Sequence, residues 1–156
     1  MKNSKTYVSA AMIGVVTGLR SLTGPALLSA CSRAGLLRWG PRLRWLRSSK
    51  TAFALGALAL GELVTDKLPS TPARTKAGPL AARAVSGALC GAAVCAVKDE
   101  DVVTGAAIGA AGAIAGTYAG YYLRKHAVEQ HGVPAIAAAL AEDAIAISSG
   151  VASFRL

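Results

Sequence analysis

The sequence predicts an all-α protein: a polytopic transmembrane helical bundle of four or five membrane segments forming one domain, residues 1–156. Three observations carry this. Hydrophobic residues make up 53% of the chain and charged ones only 16%. Soluble domains carry about 25% charged residues, and a small chain needs more polar surface than a large one, not less. Aromatics are only 5%, so the apolar content is mostly Ala, Leu, Val and Gly, which suits helices packed closely in lipid. The apolar residues also fall in runs joined by short polar connections, and backbone inside hydrocarbon must bond within its own segment, as a helix does.

The first segment, Tyr7 to Ala30, is interrupted at Arg20-Ser21-Leu22-Thr23-Gly24-Pro25. Proline removes a donor, and the residue before it avoids the α region, so the helix is expected to break here. The second segment is Thr51–Thr65, followed by a Pro/Thr-rich turn at 68–76. The third, Ala77–Val97, contains Arg83 and ends at the acidic turn Lys98–Asp101. The fourth, Val102–Leu123, is a charge-free run of 22 residues, long enough to cross about 30 Å of hydrocarbon. A basic turn, Arg124-Lys125-His126, is expected to separate it from the fifth segment, Gly132–Phe154, which holds Glu142 and Asp143.

The formal charge of +9 raises the question of nucleic acid, but its distribution points to a membrane surface. Six of the 17 basic residues, Arg33, Arg38, Arg42, Arg44, Arg47 and Lys50, lie in one stretch with Trp39 and Trp45. Arginine and tryptophan beside apolar spans form an interfacial belt near anionic headgroups. A first segment that crosses would split the basic residues evenly between the two sides. A segment that enters and returns puts Lys2, Lys5 and the Arg33–Lys50 stretch on one side, and the positive-inside rule favours that re-entrant arrangement, with the stretch cytoplasmic. No nucleic-acid partner is expected.

Charged side chains in the middle of a bilayer cost about 2.5–3.5 kcal/mol each, so they face a bundle interior or a cavity and pair. The candidates are Arg20, Glu62, Asp66, Arg83, Glu142 and Asp143. Glu62 and Asp66 are four apart and share a helix face; two carboxylates at that spacing can hold a proton or cation. Glu142 and Asp143 are adjacent, point about 100° apart and cannot both face one partner. Ser149 extends a polar stripe from Glu142. Arg20, Ser21, Thr23 and Gly24, with a helix restarting at Pro25, form a candidate anion site, because the new N-terminus presents free N–H groups and arginine binds carboxylate or phosphate in bidentate fashion. The alternative is that Arg20 pairs with Glu142 or Asp143 and binds nothing. Arg83, Ser86 and Gly87 repeat the Arg-x-apolar-hydroxyl-Gly pattern of Arg20, Thr23 and Gly24, a weak internal repeat of the kind transporters are built from.

Gly105, Gly109, Gly112, Gly116 and Gly120 recur every three or four residues and predict a close helix-packing face within or between subunits. The three cysteines, Cys31, Cys90 and Cys95, lack metal-ligand spacing, as do His126 and His131, so neither metal nor cofactor is expected. No small-residue cleavage site closes the first apolar run, so no cleavable signal peptide is expected.

The stretch Gly61-Glu-Leu-Val-Thr-Asp-Lys-Leu-Pro-Ser-Thr-Pro-Ala-Arg-Thr75 resembles a family of small bacterial membrane proteins known as domain of unknown function 4126. Arg20-Ser-Leu-Thr-Gly-Pro-Ala, Arg83-Ala-Val-Ser-Gly-Ala and Glu142-Asp-Ala fit the same resemblance. It implies an integral membrane protein and supplies no activity. The expected function is a small bacterial inner-membrane transporter or channel-like protein, not an enzyme. Its carboxylates would handle protons or ions and its arginines an anionic solute or lipid headgroup. Membrane lipids and a second copy, as a dimer, are the expected partners. The alternatives are a structural or assembly protein, and an intramembrane lipid-phosphate enzyme holding a divalent metal at Glu62 and Asp66.

Overall fold

A computed structural model describes residues 2–35, 41–65 and 75–153. They form six α-helices and one 3-10 helix, with no strand among them: α1 (Lys2–Leu19), α2 (Thr23–Arg33), the 3-10 helix Pro41–Arg47, α3 (Ser49–Thr65), α4 (Ala77–Val97), α5 (Val102–His131) and α6 (Ala135–Ser153). Two of them, Ala77–Val97 and Val102–Gln130, are long and apolar enough to cross a membrane.

The centre of the bundle is the trio α1, α4 and α5, and glycine decides how closely they approach. A Cβ on Gly109 would collide with the Gly87 carbonyl, one on Gly91 with the Gly105 carbonyl, and one on Gly18 with the Ala113 carbonyl. Gly14 meets Gly109, while Gly112 and Gly116 lie against Ala11 and Val15. These pairings run α1 parallel to α5, and α4 antiparallel to both. Only hydrogen atoms fit between the backbones at these points.

The helix break falls within the expected stretch, at residues 20–22. The helix resumes at Thr23 and not at Pro25, so Gly24 and Pro25 lie in the first turn of α2, where a missing N–H is tolerated. α1 stops at Leu19 and α2 starts at Thr23. The two then fold together: a Cβ on Gly24 would collide with the Thr17 methyl group, and Leu27 and Val16 meet over Gly150 of α6. Ile13, Val16, Leu28, Cys31, Cys90 and Val94 share one apolar cluster. α2 therefore returns along α1.

The expected basic turn at Arg124-Lys125-His126 is a correction. α5 continues through it for 30 residues, because Arg, Lys, Ala, Glu and Gln are all good helix formers. The stop comes at Gly132, in the left-handed conformation (φ 62°), two residues before Pro134. The start of α5 is fixed by Asp101, whose carboxylate accepts from the Val103 and Thr104 amides at 3.3 and 2.9 Å and from the Thr104 hydroxyl. Those bonds, the hydroxyl foremost, hold the Asp101 pKa below the ordinary aspartate value. The basic stretch between α2 and α3, expected as an interfacial loop, contains the 3-10 helix. Ser29 of α2 pins it by donating its hydroxyl to the Leu46 carbonyl at 2.6 Å.

Arg20 heads the fully buried side chains, followed by Ile13, Val16 and Val94 and then by Thr17 and Thr117, whereas Phe53 is 79% exposed and Val103 76%.

Candidate functional site

Breaking a helix releases backbone donors on one side and acceptors on the other. In apolar surroundings each must find a partner. The chain solves this at residues 18–22 with side chains from three other helices.

On the donor side, the amides of Ser21 and Leu22 donate to the two oxygens of Glu62, at 2.7 and 2.8 Å. Leu22, at the N-cap position of α2, has no side chain that can cap, and the carboxylate of α3 takes that role from 40 residues away. The charge is well placed, since the first turn of α2 is its positive dipole end. On the acceptor side, the Gly18 carbonyl receives Nη1 of Arg83 at 2.9 Å and the Thr117 hydroxyl at 3.0 Å. The Ser21 carbonyl receives the Ser86 hydroxyl at 2.6 Å. Arg83 also approaches Glu62, with Nη2 4.0 Å from Oε1, so one arginine bridges the released carbonyl and the carboxylate that caps the released amides.

Arg20 is 2% exposed. Its Nε and Nη2 lie 2.7 and 2.6 Å from Oδ1 of Asp143, tying the break to α6. Glu142 is buried on the neighbouring face of that helix, and its Oε1 lies over Gly120, where a Cβ would sit 2.9 Å away. Gly120 thus makes room for a carboxylate as well as for a helix. Glu142 lines a cleft of about 370 Å³ between α5 and α6, together with Leu19, Leu123, Arg124, Ala127 and Val133.

The sequence-derived candidates therefore separate. Arg20, Ser21, Glu62, Arg83, Ser86 and Asp143 converge on the break, with Glu142 one position along α6. The N–H groups expected to bind an external anion hold the Glu62 carboxylate. Thr23 opens α2, and Gly24 is buried against Thr17 and Cys90. Asp66 lies outside the described residues, so its pairing with Glu62 does too. The two copies of the Arg-x-apolar-hydroxyl-Gly pattern face each other through Ser86 and Ser21, but the second sits inside the uninterrupted α4, so only the first is a broken helix. The Ser149 hydroxyl turns back to the Ile145 carbonyl at 2.5 Å. Thr117 and the Gly18 carbonyl were missed. The available signal was a hydroxyl in the charge-free run of the fourth segment.

A family model described as Domain of unknown function (DUF4126) matches residues 8–156. No curated protein and no solved structure matches the chain significantly.

Proposed function

The chain belongs to the DUF4126 family, and we propose that it is a small bacterial inner-membrane transporter or channel-like protein built around the break between α1 and α2. Four or five segments lie in the membrane, the α1–α2 pair being re-entrant, with the Arg33–Lys50 stretch cytoplasmic. The observation that carries the reading is the buried group Arg20, Glu62, Arg83, Glu142 and Asp143 gathered at a helix break in an otherwise apolar bundle. Ionisable groups placed so in a membrane mark ion or proton paths, and broken helices occur where transporters bind their cargo. The outward-facing Phe53, Val103 and Leu123 support lipid rather than water as the surroundings.

In this reading Glu142 exchanges a proton or small cation with the cleft that leads toward Arg124. Glu62, spanning the α2 amides and the Arg83 guanidinium, couples that exchange to the position of α3, because a protonated Glu62 offers one fewer full acceptor to the amides it caps. An anionic solute would compete with Glu62 for the same amides and for Arg83.

The test is ion and proton flux in proteoliposomes with wild type, Glu62→Gln, Glu142→Gln and Arg20→Gln, each confirmed monodisperse by chromatography. Flux lost in the folded variants upholds the reading; flux indistinguishable from empty liposomes across several ions and pH gradients refutes it. A second reading, a structural or assembly protein, is favoured by the commitment of Arg20 to Asp143 and of Glu62 to backbone amides. Under it, exchanging the pair as Arg20→Asp with Asp143→Arg restores folding and phenotype together.

A further inference from the structure

A cleft of about 690 Å³ lies between α3 and α4, beside the helix break. Among the described residues α3 packs on α2 and the 3-10 helix, and it meets α4 through the Glu62–Arg83 ion pair rather than through close backbone approach. The space between them therefore opens sideways, toward what surrounds the bundle. Its walls are apolar: Leu22 and Leu28 of α2, Leu55 of α3, Val85 and Leu89 of α4. Ser86, the polar exception, spends its hydroxyl on the Ser21 carbonyl.

The mouth is of opposite character. Leu43, Trp45 and Leu46 of the 3-10 helix line it, and the same turn carries Arg44 and Arg47, both exposed, with exposed Lys50 beginning α3. No acidic residue occurs between positions 33 and 50. The Ser29–Leu46 bond fixes this basic turn at the cleft's end. Along α4 the cleft runs from Ala81 to Ala93, about 18 Å at 1.5 Å per residue, close to the half-thickness of a hydrocarbon core of about 30 Å.

We propose that this cleft holds one acyl chain of an anionic phospholipid, with its phosphate on Arg44 and Arg47. A basic head site joined to a sideways-open apolar slot one leaflet deep matches such an amphiphile. Arginine binds phosphate oxygens as a planar fork, and Trp45, 57% exposed beside the cleft, is of the residue type that favours the headgroup boundary. The inference rests on the membrane placement proposed above, but not on ion passage.

The experiment is native mass spectrometry of the full chain, purified in detergent, delipidated and titrated with phosphatidylglycerol or phosphatidylcholine of identical chains. Wild type is expected to retain phosphatidylglycerol on the order of 10-fold more tightly, as two basic contacts imply. Arg44→Gln/Arg47→Gln brings it to the phosphatidylcholine level, and Val85→Trp, which fills the slot from an exposed position, weakens retention of both lipids. Equal retention of the two lipids by wild type overturns the proposal, and so does undiminished binding by Val85→Trp. Inorganic phosphate that displaces the lipid completely overturns the acyl-chain assignment. A Leu89→Cys variant that crosslinks two copies and excludes lipid assigns the cleft to a second copy instead. Should the arginine variant fail to fold, the wild-type comparison and Val85→Trp still decide. A chain that stays monodisperse without detergent refutes the membrane placement itself, whereas a detergent-dependent chain indifferent to headgroup refutes the lipid site alone.

Discussion

Replacing Asp143 with Asn should destabilise the protein more than replacing Arg20 with Gln, although both changes break the same ion pair. The guanidinium is 2% exposed and contacts Asp143 Oδ1 through two nitrogens, at 2.7 and 2.6 Å. Removing one partner of a buried pair costs about 3–5 kcal/mol, chiefly because it leaves the other charge buried. The two survivors differ. Asp143 without Arg20 can take up a proton and become neutral, which caps its penalty. Arginine cannot shed its charge, so in Asp143→Asn the guanidinium of Arg20 stays charged after the carboxylate it held through Nε and Nη2 is gone. Arg20→Gln is expected near the lower end of that range and Asp143→Asn near the upper. The double variant should fall well short of the sum, with a coupling of about 2 kcal/mol. For a chain of this length 1 kcal/mol moves the melting temperature by about 2–4 °C, so the single variants should melt about 6–20 °C below wild type. The assay is thermal unfolding in mild detergent, followed by the monodisperse fraction on chromatography. Effects additive to within about 0.5 kcal/mol, or Arg20→Gln as the worse variant, would refute the reasoning.

Three further outcomes follow from the same structure. Glu62→Gln leaves one of the Ser21 and Leu22 amides without its carboxylate oxygen, at about 1.5–3 kcal/mol for a charge-assisted bond; hydrogen exchange should quicken at those two amides first, and unchanged exchange there would count against the cap. Gly109→Val drives a side chain into the Gly87 carbonyl and should cost at least the roughly 1–3 kcal/mol typical of overpacking. Gly56→Ala meets open space in α3 and should stabilise by about 0.5–1 kcal/mol, so equal effects in the two variants, read by melting temperature, would discredit the packing account. Finally, the Asp101 pKa is lowered in the folded state, so its contribution is full above the ordinary aspartate pKa of about 4. That contribution is lost as pH falls through the lower folded value. Amide protection at Val103 and Thr104 should decline with acidification across that window in wild type and stay flat in Asp101→Asn, measured by exchange against pH.

Local chemistry made much of this protein legible before any fold was known. The charge deficit and the apolar runs specify helices, because no other backbone state satisfies itself in apolar surroundings. Pro25 signals a nearby helix start, because a residue without an N–H is tolerated in a first turn, and the break lies just ahead of it at residues 20–22. Charge placed where it is expensive marks Arg20, Glu62, Arg83, Glu142 and Asp143 as residues with a purpose. What local pattern misjudged was also local: at Arg124–His126 polarity was taken for a turn, though those residues favour helix and the stop lay at Gly132.

The partners of those charges were decided only by the tertiary structure. Arg20 reaches Asp143 across 123 positions and Glu62 reaches Ser21 across 41. Such pairings depend on helix rotation and depth, which are set by glycine contacts such as Gly87 with Gly109 and Gly18 with Ala113. The folding-back of α2 on α1 rests in the same way on Gly24 meeting Thr17. The sequence by itself determined which groups must be sheltered and where the chain breaks. The seating of the helices determined that the shelter for the broken backbone is a carboxylate from α3 on the released amides, with a guanidinium and a hydroxyl from α4 and a hydroxyl from α5 on the released carbonyls.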